Sequence, residues 1–424
     1  MNQLRTIITS VFCLLFITSV WAADSGDRIE WLKQEIMRQN KEIEVLTVQV
    51  KELQSDDQIE YPASISPEKI AEVEEWQERI KMKGYFLMRH EYQDDTSLAG
   101  KTPRNRQLFK VVLTMDAKVN EHVDMIFQLL AAGAAPNSSL LVYDDYFDSK
   151  DIYLDLAYID WYLGDMFGWE KSDLRLWGGK MPIPFYRPQN SQLVLDTDVH
   201  PEGGALRYAH QFECVYLFAN LGAFWVNEDE INADSGLWGA QVGVRNKLFS
   251  DSVTVTSGIA YFDFSNTSGE KTFFSDTNSY GNSYRTIGGK KYYIEDYDLI
   301  DIFNEYAFDV KGFPITVAVH GVINAAAEDD NKGWAASAGV GKLKKPGDWK
   351  AYYEYRYLEK DAVIGVFTDS NFNNTGTNGK GHIMAVYYQL AKNTTVSSWL
   401  FINHKTLGHP DRVIRAYFDF AVAF

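Results

Sequence analysis

The chain has 424 residues, 46% of them hydrophobic, and a formal net charge of −17 at pH 7. So acidic a protein is no partner for nucleic acid, whose phosphates require a basic surface. Its 2 cysteines, Cys13 and Cys214, are too few for a disulfide framework or a cysteine metal cluster.

The first 22 residues read as a secretory signal peptide. Arg5 supplies the positive end, Ile7 to Val20 the apolar stretch, and Val20-Trp21-Ala22 a small-residue cleavage site. The stretch is shorter than the roughly 20 residues that a spanning helix needs. Cleavage removes Cys13 and leaves Cys214 alone.

Residues 23–54 predict a coiled coil. Ile29, Leu32, Ile36, Gln39, Ile43, Leu46, Val50 and Leu53 step alternately by three and four, the seam of a heptad helix that associates with copies of itself. Ile and Val at the a positions do not fix the number of helices. Residues 55–79 form a linker, broken by Asp56-Asp57 and Pro62, in which Pro67 could open a short helix to about Trp76.

From about Ile80 the period becomes two. Pairs of alternating segments flank tight polar connections: Lys118 to Glu121, Ala219 to Leu221, Phe249 to Ser252, Val310 to Gly312, Lys344 to Asp348 and Lys392 to Thr394. The connections on the other side are long: 94–104, 133–150, 228–236, 265–290, 359–380 and 404–411. Short turns at one end and long loops at the other are the layout of a transmembrane barrel, in which only every second residue faces lipid. The count comes to about sixteen strands over residues 80–424, an even number. The 25 Tyr, 25 Phe and 11 Trp suffice for interfacial girdles. The expected fold is therefore all-β, a transmembrane antiparallel β-barrel preceded by an N-terminal α-helical coiled coil.

Pro182 to Gly204, after the fifth strand, is the candidate for a loop folded into the lumen. It carries Arg187, Asp196, Asp198, His200 and Glu202, with Arg175 and Lys180 on the strand before it. Opposed charges there set up a transverse field that orients polar solutes. Asp196-Thr197-Asp198 lacks the spaced glycine and distal glutamate of a calcium loop, so no metal is assigned. On the first and last strands Arg89, Arg415 and Asp419 occupy the face opposite the apolar residues and are expected to solvate a water-filled interior. No phosphate loop, Gly-x-Ser-x-Gly or paired-cysteine motif occurs, which points away from an enzyme and from a cofactor.

The chain ends RVIRAYFDFAVAF, strictly alternating and closing on Phe424. This resembles the final strand of bacterial outer-membrane barrels, whose last aromatic is read by the barrel-insertion machinery. Leu174 to Leu206, LRLWGGKMPIPFYRPQNSQLVLDTDVHPEGGAL, together with Ala157-Tyr158-Ile159-Asp160 and Phe424, resembles the bacterial "putative porin" family. That family is similar in layout to the phosphate-selective porins O and P. The resemblance implies a homotrimer in the outer-membrane lipid, passing small hydrophilic solutes, with the coiled coil in the periplasm. Phosphate selectivity is not carried over, because the arginine ladder and lysine cluster of those porins have no assigned counterparts here. Two other functions fit the same elements: a structural tether to the cell wall through the coiled coil, and a barrel sheath around an electron-carrying partner.

Overall fold

The alternating segments close into a cylinder. The computed structural model describes residues 37, 38, 41, 79–97, 102–133, 135–169, 172–213, 215–230, 233–248 and 252–424. Met37, Arg38 and Lys41 are helical. The signal peptide and the heptad positions Ile29, Leu32, Ile36, Gln39, Ile43, Leu46, Val50 and Leu53 lie outside the described residues.

The wall begins with β1 (Ile80–Asp95), β2 (Arg104–Lys118), β3 (Val123–Ala131) and β4 (Tyr153–Tyr162). It continues through β5 (Ser172–Lys180), β6 (Glu202–Gln211), β7 (Val215–Asn227) and β8 (Ser235–Leu248). Next come β9 (Val253–Ser265), β10 (Tyr297–Val310), β11 (Phe313–Asn324) and β12 (Lys332–Gly341). The last four are β13 (Trp349–Leu358), β14 (Gly379–Ala391), β15 (Thr394–His404) and β16 (Arg412–Ala423). Each pairs antiparallel with the next, and β16 pairs back onto β1 from Tyr85↔Ala423 to Asp95↔Val413. The result is a closed sixteen-strand antiparallel β-barrel. Closure leaves no strand edge unpaired, which a lipid-facing sheet requires.

Period-two chemistry sorts the two faces. On β16 Val413, Arg415, Tyr417 and Asp419 are buried inward, while Phe418 is exposed on the outside. Outward aromatics gather near both ends: Trp225, Trp238, Tyr261 and Trp334 by the long loops, Tyr306, Phe313, Trp349 and Tyr388 by the short turns. Val242, Ile259, Ile302 and Val319 are exposed between them. This is an apolar band with aromatic girdles, the surface of a barrel embedded in lipid. Phe424 exchanges backbone hydrogen bonds with Gly84, at 3.0 and 3.2 Å, and its ring lies where a Cβ on Gly84 would stand.

Two expectations about the wall need correction. Ala219-Asn220-Leu221 is not a turn; it runs through the middle of β7, and the connection from β6 lies after Gln211. Asn220 points inward and donates to Gln241 Oε1 at 3.0 Å, so the turn-like sequence serves a lumen contact. Nor do Arg89 and Asp419 simply solvate the interior. They are register partners across the closing seam, buried and joined by two hydrogen bonds, Nε to Oδ1 at 2.7 Å and Nη2 to Oδ2 at 2.9 Å. The Arg89 guanidinium also sits 3.6 Å from the centre of the Tyr417 ring. Removing one partner strands a buried charge, so Asp419→Ala should cost about 3 kcal/mol. Urea unfolding of the refolded barrel measures it, and Asp419→Asn, which keeps an acceptor, should lose less.

Candidate functional site, a lumen crossed by two loops

The 181–201 loop is launched inward by its roots. Gly179 has φ +124°, and a Cβ there would stand 2.2 Å from the Ala157 carbonyl oxygen. Its register partner Gly203 is equally crowded, 2.1 Å from the Ala223 oxygen. Only glycine fits this bend, which accounts for one glycine in each of the Gly-Gly doublets on both sides of the loop. Beyond it Phe185 seats against β8, where a Cβ on Gly239 would meet its ring at 2.3 Å.

From there the loop is bonded strand by strand. Tyr186 N donates to Gln241 Oε1 at 2.7 Å, and the Tyr186 hydroxyl donates to Glu305 at 2.8 Å. Gln189 N donates to the other Glu305 oxygen at 2.7 Å, and its amide donates to Ser337 at 2.9 Å. Ser191 is hydrogen-bonded to His320, whose other ring nitrogen is 2.5 Å from Asp301. These partners lie on β8, β10, β11 and β12, so the loop that leaves β5 crosses to strands far round the wall.

A second loop, residues 359–378, meets it there. The sequence places 359–380 among the long outer connections; instead Ala362, Val363, Ile364, Val366 and Phe372 are fully buried. They pack with Phe185, Leu193, Val194 and Leu195 of the first loop and with Phe262, Phe264, Leu299 and Leu358 of the wall. The two loops are also hydrogen-bonded together. Asp196 N donates to Phe367 O at 2.7 Å, Ser370 N to Asp196 Oδ2 at 2.9 Å, and the Thr368 hydroxyl to Gln192 O at 2.9 Å. Arg415 holds the second loop from below, donating to Ser370 O at 3.1 Å and to Asn371 Oδ1 at 3.0 Å.

The predicted charged residues divide into groups. Asp196 and Asp198 face a cavity of about 320 Å³ together with Arg89, Lys110, Glu354, Arg356 and Asp369. Asp198 pairs with Lys110 at 3.2 Å. Arg356, only 2% exposed, bridges Glu354 at 2.6 Å and Asp369 at 3.0 Å. Burial first, then the Asp369 and Asp198 carboxylates, push Asp196 up to about 7. Arg175 and Arg187 line a different cavity, of about 380 Å³. Burial pulls Arg187 below the usual guanidinium range, and its Nη1 donates to Leu195 O at 2.9 Å. Lys180, His200 and Glu202 line a third, of about 470 Å³, where the loop rejoins the wall. There Lys180 pairs with Glu202 at 2.7 Å and His200 with Asp155 at 2.8 Å.

The family described as "putative porin" matches residues 88–288 and 296–424, most of the chain. The chain belongs to that family. As a porin it is a channel barrel of the outer membrane. No curated protein matches it. Among solved structures, OprB of Pseudomonas putida is similar over 84% of this chain and 96% of its own, with 9% identity and a TM-score of 0.53. Salmonella typhi OmpF, in complex with daunomycin, aligns over 81% and 97% of the two chains with 11% identity and a TM-score of 0.47. The outer membrane channel DcaP of Acinetobacter baumannii aligns over 81% and 97%, with 10% identity and a TM-score of 0.46.

Sequence reasoning missed several lumen residues of this porin. Glu354 and Arg356 were readable, because Tyr352, Glu354 and Arg356 share one face of β13 while Tyr353 and Tyr355 take the other. Arg207 and Arg245 gave no local signal. Their meeting with Arg175 and Arg187 depends on strand register and on the path of the loop.

Proposed function

We propose that this porin passes small hydrophilic solutes by passive diffusion, with the 181–201 loop as its constriction. What carries the reading is the loop's course: anchored on Gln241, Glu305 and Ser337, it spans the lumen and leaves charged cavities on either side. In this reading Asp196, Asp198, Arg187, Arg175 and Lys180 set the field that a solute crosses, with Arg89, Arg415 and Asp419 buttressing the wall and the second loop. His200 and Glu202 belong to the wider mouth. The narrow zone selects by width and charge, as pores do. Residues 1–22 direct export and are removed. Residues 23–54 form a periplasmic coiled coil, 55–79 a linker and 80–424 the barrel. Three copies assemble, and Phe424 is read by the insertion machinery.

Recording single channels of the refolded mature protein in planar bilayers tests this. Stepwise conductance, in groups of three, is the expected result. A folded, heat-modifiable barrel without conductance would sink the diffusion reading.

A further inference from the structure

Three of the four arginines around the 380 Å³ cavity have no carboxylate partner among the described residues. Arg175, Arg187, Arg207 and Arg245 line this space against one acidic side chain, Asp173. Asp173 is taken up by Arg175 at 2.8 Å, and Arg175 reaches Asp160 as well at 3.1 Å. That arginine is neutralised. Glu305, behind the loop, is occupied by Tyr186 and Gln189.

The remaining three are held in place by uncharged groups. Arg187 donates to a backbone carbonyl, that of Leu195. Arg245 Nε donates to the Thr256 hydroxyl at 3.2 Å, with the Tyr186 and Tyr216 rings 5.9 and 5.5 Å from its guanidinium carbon. Arg207 lies over the Trp177 ring at 4.3 Å, and its buried Nε has no protein partner. A partly buried guanidinium without a counter-charge is an unfavourable arrangement that an incoming anion relieves. Its planar fork fits a carboxylate through two parallel hydrogen bonds.

The rest of the lining narrows the ligand. Trp177, Phe185, Tyr216 and Phe218 face the same space. A bare inorganic anion leaves these faces unused, whereas a flat organic acid covers them while its carboxylate meets the arginines. The volume is within the usual range for small-molecule sites, roughly 300–1,000 Å³. We propose that this cavity is a binding subsite for small aromatic carboxylates, with Arg207 as the anchor and Arg187 and Arg245 as flanking charges. This rests on the channel reading and adds to it a class of solute.

Benzoate is the probe, with benzamide as its neutral isostere and inorganic phosphate as the bare anion. Calorimetry on the refolded full-length mature protein in detergent reads binding, and bilayer recording reads inhibition of the chloride-salt current. Benzoate should bind in roughly the millimolar range, with benzamide and phosphate each about tenfold weaker or worse. Arg207→Ala should weaken benzoate about tenfold and lessen its inhibition of the current by a similar factor. Arg207→Lys keeps the charge without the fork and should restore only part. Where Arg207→Ala does not yield a heat-modifiable barrel, Arg245→Ala serves in its place. Equal benzoate affinity in wild type and variants overturns the proposal, as does benzamide or phosphate binding as tightly as benzoate. A barrel that binds benzoate but does not conduct loses the channel reading and keeps the subsite. One that conducts but does not bind benzoate keeps the channel and loses the subsite.

Discussion

Excising residues 182–200 from this porin and joining the ends with a Gly-Ser turn is expected to raise single-channel conductance several-fold. Lys180 and Glu202 are register partners at the facing ends of β5 and β6, so a two-residue hairpin connection can close the gap without moving the wall. The loop is the element shared by the two inner cavities: Asn190 lines both, and their remaining linings lie on different parts of the wall. Its removal merges them and leaves the second loop as the remaining obstruction. The cost falls on stability. Leu193, Val194 and Leu195 are buried against the second loop and the wall, each contributing about 1.5–3 kcal/mol. Unfolding in urea should therefore begin earlier, while the sixteen-strand ladder, whose strands pair with one another, retains its antiparallel pairing. An excision variant that folds and conducts like wild type would show that the loop does not limit flow.

How much of this was legible in the sequence depends on the range of the signal. Strand alternation is local, and it carried the class and the even strand number, while the charged, proline- and glycine-bounded segment 182–204 pointed to the inward loop after β5. The Gly178-Gly179 and Gly203-Gly204 doublets were visible as motifs, but their reason was not: each faces the other across a bend that only register reveals. Ala219 to Leu221 misled because Ala-Asn-Leu-Gly has turn-like composition, while the contact that keeps it extended, Asn220 to Gln241, spans two strands. The inward path of 359–378 was hidden by its Asn- and Gly-rich second half. The run Ala362 to Phe367, AVIGVF, was the available signal, too apolar for an ordinary outer loop. The arginine cavity could not be read locally, since Arg175, Arg187, Arg207 and Arg245 come from three strands and a loop.

Raising the pH through about 7 should loosen the junction between the two loops, and Asp196→Asn should abolish that effect. Asp196 accepts from Ser370 N at 2.9 Å and from Asp198 N at 3.0 Å, in a site 2% exposed. The charges around it come from both loops and the wall. Asp369 and Asp198 oppose ionisation, Arg187 favours it, and Arg356 and Lys110 are engaged with Asp369 and Asp198 respectively. The folded-state pKa is raised above that of an unfolded aspartate, so the junction is strongest at low pH, where Asp196 is neutral in either state. Its contribution declines as the pH climbs past the ordinary carboxylate range and is lost once the pH exceeds about 7. Ionised Asp196 then faces Asp369 across the contact and repels it. In single-channel records from about pH 5 to about pH 9, wild type should show steady current at the acid end and growing fluctuation toward the alkaline end. Asp196→Asn keeps a side-chain acceptor without the charge, so it should remain steady throughout. His200 of the first loop meets Asp155 of the wall, and His320 of the wall meets Ser191 of that loop; this substitution leaves both contacts in place. A variant that keeps the wild-type transition would release Asp196 from the role.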